Sequence, residues 1–256
     1  MSAYRISFAR VTRAEWGKLT ALRSTWVVLS AAALITVGLA VAINWNVYRD
    51  PGAEVSAGTL TTQTFLGVDV ISLILGVFGV LMITGEFGSG LIRATFAAVP
   101  GRLPVLPAKA VALVLVAFPV MLVACTAALV AGEALLPAGQ QAGIPARALL
   151  GAAAAPVALA LIGLGIGALV RHTAAAITVY VLTMLVLPAI LRPALPESIA
   201  DDVLRFVPVA AAQAMYAVNS ANPFGMLAPG PATLTVAAWA VLTLGAGSVM
   251  LRRRDP

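Results

Sequence analysis

The chain has 256 residues, of which 61% are hydrophobic and 10% charged, with a mean hydropathy of +1.00 and a net charge of +6. Soluble domains carry roughly 25% charged residues, so a water-soluble fold is excluded and lipid is the solvent for most of this chain. The positive charge does not mark a nucleic-acid partner, because the Lys and Arg residues cluster beside apolar segments, where basic residues set orientation in a membrane.

The first 23 residues hold five basic residues and no apolar run, so no cleavable signal peptide is expected. At about 100° per residue, Tyr4, Phe8, Val11, Leu19 and Leu22 share one helix face, with Trp16 at its edge and Arg10 and Arg13 away from it. That pattern predicts a helix lying among lipid headgroups. Glu15 interrupts the apolar face, which points to a protein partner there.

A bilayer core about 30 Å thick takes roughly 20 apolar residues as a helix. Six stretches qualify, at about 25–43, 65–84, 110–131, 148–170, 173–191 and 232–251. They are too continuously apolar for barrel strands, and backbone groups in lipid need partners within their own segment. The expected fold class is therefore all-α integral membrane: one domain over residues 1–256 with six transmembrane helices. Asp69 is the acidic residue clearly inside a span, about one turn from its outer end. An interfacial pairing role and a place at a substrate exit both stay open for it. Pro119, Pro156 and Pro188 fall inside the third, fourth and fifth stretches, where each removes a backbone hydrogen bond and favours a kink. Gly163, Gly165 and Gly167 lie mid-span, where small residues let helices approach closely.

Between the second and third spans, the 85–109 loop predicts a short helix over about 90–98, capped by Ser89 and stopped by Pro100. Arg93 and Phe96 sit three residues apart on it. Read as exposed, they are the residue types that anchor protein interfaces; a helix resting on the membrane is the alternative. The long 192–231 connection holds six prolines and two short helical stretches, 197–206 and 209–218. The second either dips into the outer leaflet or caps the bundle. Basic residues number twelve on the side holding both termini and four on the other, which predicts both termini in the cytoplasm. No G-x-x-x-x-G-K-[ST] phosphate loop is present, so the chain is not expected to hydrolyse ATP. One histidine, His172, and one cysteine, Cys125, cannot build a His/Cys metal site, and no catalytic or metal-ligating residue is assigned.

Three motifs then converge. The first is the loop that opens Gly85-Glu86-Phe87, continues Leu91-Ile92-Arg93-Ala94-Thr95-Phe96, and follows with Pro100-x-Arg102 and Lys109. The second is the leader Glu15-Trp16-x-Lys18-Leu19 running into Leu22-Arg23-Ser24-Thr25-Trp26. The third is the ending Arg252-Arg253-Arg254-Asp255. Together with six spans they resemble ABC-2 type transporter permeases over nearly the whole chain. The resemblance implies the transmembrane subunit of an ATP-driven exporter in the bacterial cytoplasmic membrane, moving a hydrophobic or amphipathic substrate such as a drug, an antibiotic or a lipid. It implies a pair of permease subunits, identical or different, with two copies of a separate ATP-binding subunit. ATP and Mg would sit on that partner, and no cofactor on this chain. Glu86, Arg93, Phe96, Pro100 and Arg102 would form the coupling element. Glu15, Trp16 and Lys18 would make the leader contacts, and Glu86 would pair with a basic residue of the leader. A non-transporting membrane anchor or regulatory scaffold is the reading from another class; it needs the spans but no docking helix.

Overall fold

The computed structural model describes residues 7–49, 61, 63–135, 144–218 and 226–253. The expectations for Tyr4, Arg5, Pro223, Arg254 and Asp255 lie outside them. In chain order the helices are α1 (Phe8–Ala21), α2 (Arg23–Tyr48), α3 (Leu66–Ser89), α4 (Leu91–Ala98), α5 (Val105–Ala134), α6 (Ala146–Val170), α7 (Thr173–Ala194), α8 (Glu197–Leu204), α9 (Pro208–Ala214) and α10 (Pro229–Arg253). No strand occurs among the described residues. Six helices, α2, α3, α5, α6, α7 and α10, are long and apolar enough to cross a bilayer, so the chain is a multi-pass membrane protein.

Each of the six expected spans is present and longer than its apolar run. The extension matters most between the second and third. α3 continues to Ser89 and α5 begins at Val105, so Glu86 and Lys109 are helical residues and not loop residues. Expected boundaries fell short because charge was read as the end of a helix. Backbone hydrogen bonding carries a helix past the apolar core wherever its polar side chains find partners.

The centre of the bundle is the crossing of α3 and α6. A Cβ added at Gly79 would stand 1.9 Å from the carbonyl oxygen of Ala160, and one at Gly163 would stand 2.0 Å from that of Gly76. At Gly167 it would stand 2.9 Å from the carbonyl oxygen of Val80. The two backbones touch because no side chain intervenes. In lipid this close packing supplies what the hydrophobic effect cannot. Tyr180 of α7 crosses the same seam, fully buried, and its hydroxyl donates to the Ser72 carbonyl at 3.3 Å.

α7 holds one π-helical turn, Leu182–Val186, in which the Leu187 N–H reaches back to the Leu182 carbonyl. Pro188 follows at once and has no N–H to give. The wide turn is the local answer to that missing donor, and such turns concentrate at functional sites. In the long connection, α8 and α9 are shorter than expected. α9 buries Pro208, Ala211, Ala212 and Ala214, and Met215 after it lies against Gly151 of α6. Arg147 donates to the Ala217 carbonyl at 3.1 Å, and the Trp239 indole to the Phe206 carbonyl at 3.0 Å. This segment caps the bundle. At the start of α7, His172 is a helix cap: its Nδ1 accepts from the Ala175 N–H at 3.4 Å.

The seam makes a prediction. Gly79→Val forces a side chain into the Ala160 backbone and should cost at least the roughly 1–3 kcal/mol of an overpacked core. Gly245→Ala, where nothing lies within 4 Å, should be neutral. Thermal unfolding of the two purified variants in detergent checks this. Equal melting temperatures would mean that the seam is not close-packed.

Candidate functional site

The leader α1 starts at Ser7, whose Oγ accepts from the Arg10 N–H at 3.4 Å. Val11, Glu15 and Leu19, four residues apart, form its buried stripe against α5. Phe8, Trp16 and Leu22 are about half exposed, at 47%, 46% and 54%. The expected apolar face is thus divided. A turn-by-turn stripe with Glu15 at its middle faces the protein, and the larger apolar residues face outward.

Glu15 is 4% exposed, and its partner is in this same chain. Lys109 on the second turn of α5 puts its Nζ 2.5 Å from Glu15 Oε2 and 2.6 Å from Glu86 Oε1. Lys18, one turn along α1, stands 2.7 Å from Glu15 Oε1 and 3.3 Å from Glu86 Oε1. Its ammonium also donates to Thr95 Oγ1 of α4 at 3.0 Å. The expected pairing of Glu86 with a basic leader residue is present, as the Lys18 contact. Two carboxylates meet two ammoniums, so four elements, α1, α3, α4 and α5, join through a cluster with no net charge. The expected external partner for Glu15 is corrected to Lys109: the acidic residue interrupts an apolar stripe because that stripe packs on a helix carrying a buried cation.

Burial lowers the Lys18 pKa, but the hydrogen bond and charge of Glu15, then those of Glu86, outweigh it and hold the group above the ordinary lysine value. A raised pKa stabilises the fold below the unfolded-state value and loses that effect as pH rises through the folded one. Lys18 therefore keeps its charge across neutral pH, and its deprotonation breaks these contacts only in strong alkali.

Gly90, with φ +74°, turns the chain from α3 into α4. The left-handed conformation costs glycine nothing, and it lets α4 fold back so that Thr95 meets Glu86. Ser89 does not cap α4: it is the last residue of α3 and donates to the Gly85 carbonyl at 2.8 Å. On α4, Ile92, Thr95 and Phe96 are buried. Phe96, 6% exposed, packs with Ile83, Val105, Leu106 and Leu251, and the Arg102 guanidinium lies 5.2 Å from its ring centre. The expectation that Phe96 is an exposed anchor is therefore corrected: positions 92, 95 and 96 make the inward face of one helix, and Phe96 fills the space under it. Arg93 is exposed, on the outward face with Leu91, Ala94, Ala97 and Ala98. Pro100 is exposed beyond the helix end. Arg171, in a left-handed conformation at the end of α6, donates to the Met250 carbonyl at 2.7 Å and lies 5.2 Å from the Phe87 ring centre, tying the end of α10 to the same region.

Asp69 lies in the first turn of α3, at the other end of the bundle. It accepts from the Tyr216 hydroxyl and from the Gln213 side chain. Burial first, and the Asp69 charge second, push the Tyr216 phenol well above its usual range, so it stays a donor. The Tyr216 ring meets Phe65 edge-on at 5.9 Å. Two cavities share Asp69, Gln213 and Tyr216 as a common wall. One, of about 210 Å³, is otherwise apolar except for Ser72; the other, of about 380 Å³, also touches Arg192 and Arg205. Among the described residues no group of three His, Cys, Asp or Glu side chains is placed to hold a metal ion. Sequence reasoning missed Lys109 as the hub of the charge cluster, and it missed Tyr216 and Gln213 altogether. The signal for Lys109 was present, a lone lysine at the head of an apolar span. None existed for Tyr216, which meets Asp69 across 147 residues.

No protein-family model matches this chain, and no curated protein matches its sequence.

The cluster predicts an asymmetry. Lys109→Met leaves two carboxylates with only the Lys18 ammonium between them, in a site where Lys109, Glu15 and Glu86 side chains are 3%, 4% and 9% exposed. Breaking one partner of such a buried pair costs about 3–5 kcal/mol. Adding Glu15→Gln to Lys109→Met should restore part of the loss, and Lys18→Met alone should cost less, because Lys18 is 35% exposed. Melting temperatures of the three variants and the wild type test this; equal effects at Lys18 and Lys109 would contradict it.

Proposed function

We propose that this chain is the transmembrane permease subunit of an ATP-driven exporter of the ABC-2 type, energised by a separate ATP-binding subunit. The observation that carries the reading is the mounting of α4. A short helix stands at one end of the bundle, fixed to two spans and to the leader through the Lys109 cluster. Its outward face carries Arg93 with Leu91 and three alanines, Ala94, Ala97 and Ala98. A helix held this rigidly outside the spans is suited to receive a push from a partner and pass it to α3 and α5. A passive anchor has no need of such a mounting.

In this reading the end bearing α1 and α4 faces the cytoplasm. The basic residues Arg10, Arg13, Arg23, Arg93, Arg102, Arg171, Arg252 and Arg253 belong to it, in keeping with the positive-inside rule. Two permease subunits, identical or different, would stand side by side over two ATP-binding subunits in a bacterial cell membrane. The docking surface is Leu91, Arg93, Ala94 and Ala97, with Phe96 as its internal support. Trp16, exposed on α1, would flank it. Small residues around an arginine leave room for a partner's groove to close on the helix, and the guanidinium supplies a directional ion pair. The cargo is hydrophobic or amphipathic.

The test is affinity purification of the tagged chain from its native membrane. The wild type should bring down a protein bearing a nucleotide phosphate loop. Arg93→Glu with Ala97→Glu reverses the charge and blocks close approach, yet touches nothing buried. Loss of a central interface contact costs about 2–4 kcal/mol, a roughly 30- to 1,000-fold fall in affinity, so the partner should be lost while the chain still accumulates. A wild-type chain that brings down no such protein would refute the exporter reading. Full retention by the double variant would refute the docking face.

A further inference from the structure

The cavity of about 210 Å³ beside Asp69 is a place for a ligand. Its walls come from four helices: Leu73 of α3, Leu159 of α6, Met184 in the π turn of α7, and Val209 of α9. These surfaces are apolar, and the one charged side chain on the wall is Asp69. Among the described residues no lysine or arginine forms an ion pair with it. The nearby arginines pair elsewhere, Arg205 with Asp202 at 2.9 Å and Arg192 with Asp201 at 4.0 Å. Tyr216 and Gln213 hold the carboxylate in position through neutral donors, which fixes its direction without cancelling its charge.

Such a cavity selects by charge and by polarity together. A carboxylate walled by hydrocarbon attracts a cation far more strongly than one in water. An aromatic ring beside it adds attraction for ammonium groups that have no proton to donate, and Tyr216 lines the cavity. The remaining walls favour a hydrocarbon body. Val70 and Leu185 also line the cavity and are 43% and 53% exposed on the outer surface of the bundle. The cavity therefore opens sideways between α3 and α7, towards lipid. On the far side of the Asp69–Gln213–Tyr216 wall, the larger cavity touches two arginines, which disfavours a cation there.

We infer that the apolar cavity between α3, α6, α7 and α9 binds a lipophilic cation, entering from the bilayer, with its charged centre against Asp69 and Tyr216. The inference rests on the exporter reading only in making that cation the cargo; binding itself needs no ATP-binding subunit. A lateral mouth suits a ligand already dissolved in the membrane, and the π turn gives the wall at Met184 a different backbone spacing from the rest of α7.

The experiment uses the full chain in nanodiscs of zwitterionic lipid, with radiolabelled benzyltrimethylammonium as probe and empty nanodiscs subtracted. The wild type should show saturable binding. Asp69→Asn keeps an oxygen acceptor for Tyr216 but removes the charge that faces the probe, and should bind roughly tenfold more weakly or worse, about 1.4 kcal/mol or more. Asp69→Glu should retain binding. Leu73→Trp fills the cavity with the carboxylate in place and should abolish binding. Absence of saturable binding in the wild type overturns the inference, and so does undiminished binding in either Asp69→Asn or Leu73→Trp. If Asp69→Asn does not fold, Leu73→Trp decides alone. Failure of the exporter reading would appear separately, in the affinity purification, as a wild-type chain that brings down no phosphate-loop protein while binding of the probe in nanodiscs persists.

Discussion

A buried lysine between two buried carboxylates is the contact on which the arrangement of this protein depends. Lys109, 2% exposed, is tolerated at the head of an apolar span only if Glu15 and Glu86 are both beside it. Each of those comes from a different helix. Taking any one helix away strands a charge in a dry place, at a cost of several kcal/mol. The cluster does not need to add net stability to matter. It makes one placement of the leader acceptable and penalises the others, a use of buried charge known from helical assemblies that fix their register this way. α4 follows by geometry: Gly90 turns it back, Thr95 joins the polar cluster, and Phe96 closes the apolar layer beneath.

The same helix reaches the other site. Glu86 lies in the last turn of α3 and Asp69 in the first, so at 1.5 Å per residue they stand about 26 Å apart on one rigid element. Along its length α3 is seated on α6 through glycines that admit no side chain. A helix held by backbone contact shifts as a unit and does not bend residue by residue. In the exporter reading, force delivered to α4 at one end would reach the Asp69 cavity at the other through this element. The Asp69 end of α3 would move against the cap formed by α9 and the residues after it, Tyr216 among them.

Much of the fold was legible in the sequence because its cause is local. Six apolar runs of membrane length need only composition and the demand that every backbone group in lipid be satisfied. The glycines at 163 and 167 read correctly as packing positions. What was not legible depends on long-range pairing. Glu15 spoiled an apolar face for a reason 94 residues away, and Glu86 and Lys109 looked like loop residues because charge was taken to end a helix. Phe96 was misread for a different cause. An eight-residue amphipathic helix has two faces, and sequence alone ranks an aromatic as an anchor without saying which side the bundle occupies. Ile92 and Phe96, four apart, were the available clue that the aromatic faces inward.

The central claim is that the Lys109 cluster holds α1 and α4 as one body. Spin labels at Arg13 and Ala97, both exposed and each on one of these helices, measure it directly by double electron–electron resonance in nanodiscs. The account predicts a narrow distance distribution in the otherwise wild-type chain and a broad one once Lys109→Met is added. An equally narrow distribution with and without Lys109 would show that the leader is held by something else.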